Sequence, residues 1–133
     1  MIRSTQKDEI GLILRYGRLY VWHRYDAGNR RLGLNTDEFI VVSETGDTLV
    51  TRPIPTKGVA LDESPTSRDG VRRALGKFDP RSCCLAVIVR PDSYGAFKHL
   101  RNQAIALGLE YRLLPAEADT PFADRGGTGG KVQ

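Results

Sequence analysis

The segment CLAVIVRPDSYGAFKHLRNQAIALGLEYRLLP, residues 84–115, constrains the fold more than any other part of this chain. Its first run, residues 84–89, is apolar on both faces, which is typical of a central strand that is buried on both sides. After a polar break at Pro91, Asp92 and Ser93, a helical pattern continues to Gly108, and LEYRLLP has the character of a second strand. Two strands joined by a helix pair in parallel within one sheet. The segment therefore predicts a strand–helix–strand unit at the centre of a domain.

The helix of this unit and a second helix upstream both carry terminal signals. We expect Asp92 or Ser93 to cap the downstream helix and Gly108 to take the left-handed conformation that ends it. Its apolar residues predict a buried stripe formed by Tyr94, Phe97, Leu100, Ala104 and Leu107. In the upstream helix Ser64 is the predicted N-cap and Pro65 the first helical residue. Its predicted stripe is formed by Val71, Ala74, Leu75 and Phe78.

Two hairpins are predicted in the first half of the chain. Strands at residues 10–14 and 19–23 flank Tyr16 and Gly17, and the glycine suits a tight turn. Strands at residues 39–43 and 48–52 flank a second turn at residues 45–47. The polar stretches DAGNRRLGLNTDE and TKGVALDE are interpreted as a loop and a linker.

Length and composition predict one domain with a modest core. The chain has 133 residues and 27% charged residues, and its mean hydropathy is -0.35. We expect a single α+β domain over residues 1–115, in which a mixed sheet carries two helices on one face. Residues 26–63 form an insert that contains the second hairpin, and residues 116–133 form a flexible tail, either mobile or only locally docked.

The N-terminus and the apolar segments indicate a cytoplasmic protein by default. No segment approaches the ~20 apolar residues of a membrane span, and the first residues lack the pattern of a secretory signal. We therefore expect no membrane insertion. The net charge of +4 is mild and spread along the chain, so it fits an anionic partner and a solvated surface equally well.

The two cysteines and the two histidines do not predict a metal centre or a catalytic set. Cys83 and Cys84 are adjacent, which disfavours a disulfide and a cysteine-only zinc site, and they fit as small core residues. His23 and His99 each stand alone in their segments. We expect no metal, no cofactor and no enzymatic activity, and a small hydrolase or transferase is the least favoured alternative.

The order of these motifs resembles the soluble domain of the ExbD/TolR biopolymer-transport family. The resemblance lies in VIVRPDSYGAFKHLRNQAIALGLEYRLL, with Asp92, Tyr94, Ala106 and Gly108 at the family's motif positions, and in ILRYGRLYV near the N-terminus. It covers roughly residues 9–24 and 64–115, omits the second hairpin and the tail, and is closest to membrane-free versions of the planctomycete type. The family's membrane helix and its functional aspartate are missing from this sequence.

The resemblance implies a non-catalytic module that dimerises and contacts partners or the cell wall, and it adds envelope association to the expected locations. The second hairpin supports such a role, because it could extend a sheet or present an open edge. We therefore expect a small interaction module, with a homodimer or a protein partner.

The first hairpin carries an alternative from a different functional class. RYGRLYVWHRY interleaves Arg15 and Arg18 with Tyr20 and Trp22. Basic and aromatic residues on an exposed sheet face could bind single-stranded nucleic acid by stacking and phosphate contacts. The same alternation also suits a strand with one face in the core.

Asp92 and Tyr94 are the remaining candidate binding residues. They follow the end of a predicted parallel strand, which is the edge where ligands bind in open α/β sheets. The competing interpretation is that Asp92 caps the helix and Tyr94 packs its ring while its hydroxyl finds a partner.

Overall fold

The structure is a computed structural model that describes residues 7–116 and 122–124. Within these residues the strands are β1 (Asp8–Arg15), β2 (Arg18–Val21), β3 (His23–Tyr25), β4 (Arg31–Leu34), β5 (Phe39–Thr45), β6 (Thr48–Pro53), β7 (Val59–Ala60), β8 (Cys83–Val89), β9 (Glu110–Pro115) and β10 (Phe122–Asp124). The helices are α1 (Pro65–Leu75) and α2 (Phe97–Ala106), and a 3-10 turn, Pro91–Ala96, precedes α2. No helix in the described part is long and apolar enough to cross a membrane.

A five-stranded mixed sheet forms the centre of the domain, in the order β7-β2-β1-β8-β9. β8 is parallel to β1 on one side and to β9 on the other, and all seven of its residues are buried. The predictions of a central strand and of a parallel returning strand are confirmed. The α+β class and the mixed sheet are confirmed with them.

The first hairpin forms as predicted at its turn but ends earlier than predicted. Tyr16 and Gly17 both have positive φ, 57° and 66°, which is the conformation of a two-residue type I′ turn. β2 leaves the main sheet after Val21, and β3 pairs instead with β4. The prediction that residues 26–38 are only a loop is therefore wrong, because β3 supplies β4 with a backbone partner. That pairing is a tertiary effect that the polar composition of the stretch conceals.

The second hairpin forms as β5 and β6, with Gly46 at φ 58° in its turn. A register shift between Val41 and Ser43 places a bulge near the middle of β5. The predicted linker, residues 56–63, contains the short strand β7, which pairs with the outer side of β2, so that prediction is also wrong in part. At the other end of the chain, β10 pairs with β6, so residues 122–124 of the predicted flexible tail are docked. Residues 117–121 and 125–133 lie outside the described residues.

The two helices pack together on one face of the main sheet. Their core is formed by alternate strand residues and by both helical stripes, including Leu12, Leu14, Leu85, Val87, Val71, Leu75, Leu100 and Ala104. The opposite face contributes Ile13, Tyr20, Trp22 and Ile88 to a second cluster, which the β5 residue Phe39 completes. The domain therefore has helices on one side of its sheet and the second hairpin on the other.

The starts of the two helices differ in how far they follow the predictions. Ser64 caps α1, with its hydroxyl accepting a hydrogen bond from the Ser67 N–H at 3.1 Å, and Pro65 opens the helix. The predicted capping of α2 is wrong, because Ala96 stands at its N-cap and Asp92 and Ser93 lie in the preceding 3-10 turn. Gly108 has φ 75° after α2, as predicted. Tyr94 is 53% exposed and does not belong to the buried stripe.

Candidate interaction surfaces

The aromatic residues of the first hairpin are core residues. Tyr20 and Trp22 are both 0% exposed. The Tyr20 hydroxyl donates to the Ile54 carbonyl at 2.8 Å, and the Trp22 Nε1–H donates to Thr51 Oγ1 at 3.1 Å. Burial raises the pKa of Tyr20 to about 12. The prediction that these rings present a stacking face is wrong, because the second hairpin covers that face of the sheet.

The two arginines of the same hairpin, Arg15 and Arg18, contact neighbouring groups of this chain. The Arg15 guanidinium lies over the Tyr16 ring, 5.0 Å from its centroid. Arg18 donates to the carbonyls of Lys57 and Gly58, which lie just before β7. The structure therefore separates Arg15 and Arg18 from the buried rings with which the sequence interleaves them.

Asp92 and Ser93 bind the turn of the first hairpin. The Tyr16 N–H donates to Asp92 Oδ2 at 3.1 Å, and the Gly17 N–H donates to Ser93 Oγ at 3.0 Å. Ser93 Oγ–H in turn donates to Asp92 Oδ1 at 2.8 Å, and Ser93 is 0% exposed. These two side chains satisfy turn N–H groups beside the carboxyl ends of β1 and β8. The position of Asp92 and Ser93 directly after β8 thus serves to bind the turn of the first hairpin.

Glu38 satisfies another open backbone group where the second hairpin begins. Its Oε1 accepts a hydrogen bond from the Val21 N–H at 3.1 Å and one from Asn35 Nδ2 at 3.2 Å. β7 pairs with β2 only at Arg18 and Leu19, so the carboxylate serves as a partner for the end of β2. Burial raises the pKa of Glu38, and the backbone hydrogen bond from Val21 opposes that rise.

The histidines line different cavities. His23 is 2% exposed and borders a cavity of about 460 Å³ between β3 and α1. His99 borders a cavity of about 270 Å³ between α1 and α2, together with Asp62 and Ser67. Ser67 Oγ accepts a hydrogen bond from the Asp62 N–H, and the Asp62 carboxylate accepts one from the Ser64 N–H. Ser67 Oγ and one Asp62 oxygen therefore accept backbone hydrogen bonds at the start of α1.

The two cysteines point into different surroundings, and the acids near them do not form a ligand set. Cys83 packs in the core on the helix side of the sheet. Burial raises the pKa of the Cys84 thiol, and the carboxylates of Glu9 and Glu110 raise it further. Among the described residues no group of three or more His, Cys, Asp or Glu side chains could hold a metal ion.

The second hairpin presents an apolar edge. Within the described residues β5 is the outermost strand of the sheet β10-β6-β5. Three consecutive β5 residues, Ile40, Val41 and Val42, are between 42% and 54% exposed, whereas Phe39 is buried beside Tyr20. An open strand edge with exposed apolar side chains is a template for pairing with another chain.

The main sheet also has an open edge, but a more polar one. β9 exposes Tyr111 and Leu113 on the helix side, and the Tyr111 ring contacts Phe97 at a centroid distance of 5.6 Å. On the other side of the strand, Glu110 pairs with Lys7, and Arg112 pairs with Glu9. Charged pairs and a terminal Pro115 are features that protect edge strands from pairing.

The outer surfaces of the helices carry an excess of positive charge. α1 and α2 together contain five Lys or Arg residues and one acid, Asp69. The five cations are all exposed: Arg68, Arg72, Arg73, Lys98 and Arg101. The sequence patterns considered above do not include this set, although Arg68 and Arg72 lie at the i, i+4 spacing that makes residues neighbours on a helix surface.

Comparisons with protein-family models, with curated proteins and with solved structures find no match for this chain. The ExbD/TolR resemblance therefore rests on the sequence motifs alone.

Proposed function

We propose that this protein is a non-enzymatic interaction module that forms a homodimer by pairing the β5 edges of two copies. The observation that carries the proposal is the exposed run Ile40, Val41 and Val42 on the open edge of the second hairpin. The ExbD/TolR resemblance is part of the proposal, because the soluble domains of that family dimerise and contact partners.

The β5 sequence is complementary to itself in an antiparallel arrangement. If Val41 lies opposite Val41 of a second copy, Ile40 lies opposite Val42 on both sides of the two-fold axis. All of these side chains are apolar and no like charges face each other, so each cross-strand pair is favourable by roughly 0.2–1 kcal/mol. The bulge leaves Val42 without a partner on β6, and it thereby frees this residue to contact the other copy.

The expected dimer is of moderate strength. Stable interfaces bury roughly 800 Å² per partner, and five paired residues of one strand bury less than that. We therefore expect a dissociation constant of about 1 μM, which corresponds to roughly 8 kcal/mol. Because the contacts are apolar and main-chain hydrogen bonds, high salt should leave the dimer intact.

The test is light scattering after size-exclusion chromatography over a range of protein concentrations, at low and high salt. The wild-type protein should be a dimer at high concentration at both salt levels. Val41→Glu should be a monomer, because the substitution places two carboxylates opposite each other at the axis. Leu113→Glu is the matched control, because it introduces the same charge at the other open edge, and it should remain a dimer.

Two results would overturn this assignment. A wild-type protein that stays monomeric at all concentrations excludes the homodimer. If Leu113→Glu is a monomer and Val41→Glu is a dimer, the dimer interface lies at β9 and not at β5. Thermal melting of both variants by circular dichroism confirms that each is folded, as expected for substitutions of exposed side chains.

A further inference from the structure

A second interaction surface lies on the opposite side of the domain from β5. We propose that the outer surface of α1 and α2 binds the phosphate backbone of nucleic acid, through Arg68, Arg72, Arg73, Lys98 and Arg101. These five residues are called the basic helix layer below. The proposal does not depend on dimerisation, and it concerns a different surface from the first hairpin.

The cations of the basic helix layer take part in none of the ion pairs found in the described part of the chain. The ion pairs found there are Lys7 with Glu110, Arg24 with Asp37, Arg81 with Asp79 and Arg112 with Glu9. None of these pairs includes a cation of the layer. Arg72 donates to the neutral Gln103 Oε1 at 2.8 Å across the two helices. The excess of four positive charges on the helices equals the net charge of the whole chain.

The position of these cations suits an extended anion. Arg72 reaches Gln103, so its guanidinium lies at the groove between α1 and α2. Arg68 and Lys98 line the same groove from opposite helices, around a cavity of about 270 Å³ that Asp62 and Glu63 also line at its end before α1. The cations of the two packed helices give this side of the domain an excess of positive charge, which attracts a polyanion.

The chemistry of the layer favours nucleic acid over a lipid surface. Four of the five cations are arginines, whose planar guanidinium matches phosphate oxygens in a bidentate manner. Helices that bind at a membrane surface bury an apolar face between the headgroups. Here Ile105 is the only large apolar side chain of α1 and α2 that is strongly exposed. The aromatic ring that α2 carries, Phe97, packs against Tyr111 of β9, so the layer is suited to contact phosphates and not to read bases.

The experiment measures the binding of a fluorescently labelled DNA duplex of about two helical turns by anisotropy. Each phosphate contact contributes about −0.9 to the slope of log K against log salt. For about four contacts, the affinity of the wild-type protein should fall roughly 100-fold between 50 mM and 200 mM salt.

Two variants of equal charge locate the binding surface. The helix variant replaces four cations of the layer with glutamine: Arg68, Arg73, Lys98 and Arg101. The matched control replaces four exposed cations elsewhere with glutamine: Arg30, Arg52, Lys57 and Arg81. Arg72 is kept in both because it links the helices. The helix variant should lose at least about tenfold in affinity at low salt and most of the salt slope, whereas the control should lose neither.

Three results would overturn the proposal. An equal loss in both variants shows that only total charge matters. A wild-type protein that does not bind the duplex at low salt shows that the layer is not a nucleic-acid surface. If the wild-type protein sediments with phosphatidylserine vesicles but does not bind the duplex, the basic helix layer binds a membrane surface and not nucleic acid. Circular dichroism and light scattering exclude changes of folding or oligomeric state in the variants.

Discussion

The bridge between Ser93 and the first hairpin makes a strong prediction about stability. Ser93→Ala removes a hydroxyl that accepts from the Gly17 N–H and donates to the Asp92 carboxylate, in a position that is fully buried. A lost hydrogen bond costs about 1 kcal/mol, and a buried donor left without a partner costs about 1–3 kcal/mol. Because Gly17 is only partly buried, water can replace part of the loss, and we expect a total of about 2 kcal/mol.

This loss can be measured by thermal and urea unfolding followed by circular dichroism. For a domain of this size, 1 kcal/mol shifts Tm by about 4 °C, so Ser93→Ala should melt about 8 °C lower. The urea m-value should stay unchanged, since the surface exposed on unfolding is the same. Ser82→Ala is the control because Ser82 is exposed, and it should change Tm little.

A double-mutant cycle tests whether Asp92 and Ser93 act as one unit. Both side chains bind the same turn, and they bind each other. Asp92→Ala and Ser93→Ala should therefore be non-additive, with a coupling energy of about 0.5–3 kcal/mol. Two results would refute this role of Ser93: a Tm for Ser93→Ala equal to that of Ser82→Ala, or a loss of unfolding free energy in the double variant equal to the sum of the losses in Asp92→Ala and Ser93→Ala.

Two further predictions concern the second hairpin and the linker before α1. The pKa of Glu38 is raised in the folded protein, so the folded protein binds the Glu38 proton more tightly than the unfolded chain does. The contribution of Glu38 to the free energy of unfolding therefore falls as the pH rises from the unfolded carboxyl pKa to the higher folded pKa. Over that pH interval, the free energy of unfolding measured with urea should fall less for Glu38→Gln than for the wild type, and an equal fall in both would contradict the raised pKa. The second prediction compares two glycines with positive φ: at Gly58, with φ 76°, an added Cβ would lie 2.6 Å from the Leu19 carbonyl oxygen, whereas at Gly46, with φ 58°, an added Cβ meets no atom within 4 Å. Gly46→Ala should therefore cost about 1–2 kcal/mol from the backbone alone and Gly58→Ala clearly more, and equal unfolding free energies would contradict the clash.

The two proposed surfaces lie on opposite faces of the main sheet. The helices that carry the basic helix layer cover one face, and the second hairpin covers the other, where Phe39 packs against Tyr20. Pairing of β5 with a second copy would therefore leave the helices accessible. A dimer would present two basic layers, and the effective affinity for one polyanion would rise where both layers reach it.

The candidate surfaces differ in how far the sequence predicts them. The strands and the turn of the second hairpin follow from local residue types, whereas the position of β5 at the edge of its sheet is a property of the topology. The burial of Tyr20 and Trp22 does not follow, since alternation shows that two faces differ but not which one is covered. The basic helix layer needs the packing of α1 against α2, because only that packing brings Arg68 and Lys98 to one groove.

The sequence by itself determined the central unit of this protein. An apolar run at residues 84–89 can be satisfied only by burial between layers, and β8, the end of α2 near Gly108 and β9 form in the predicted order. Only the tertiary structure decided the roles of the polar residues between these elements. Asp92 and Ser93 have the side chains of helix caps, but the Tyr16–Gly17 turn lies close to them and its N–H groups need acceptors. Short polar side chains bind whichever backbone group the fold brings within reach, and local sequence does not contain that distance.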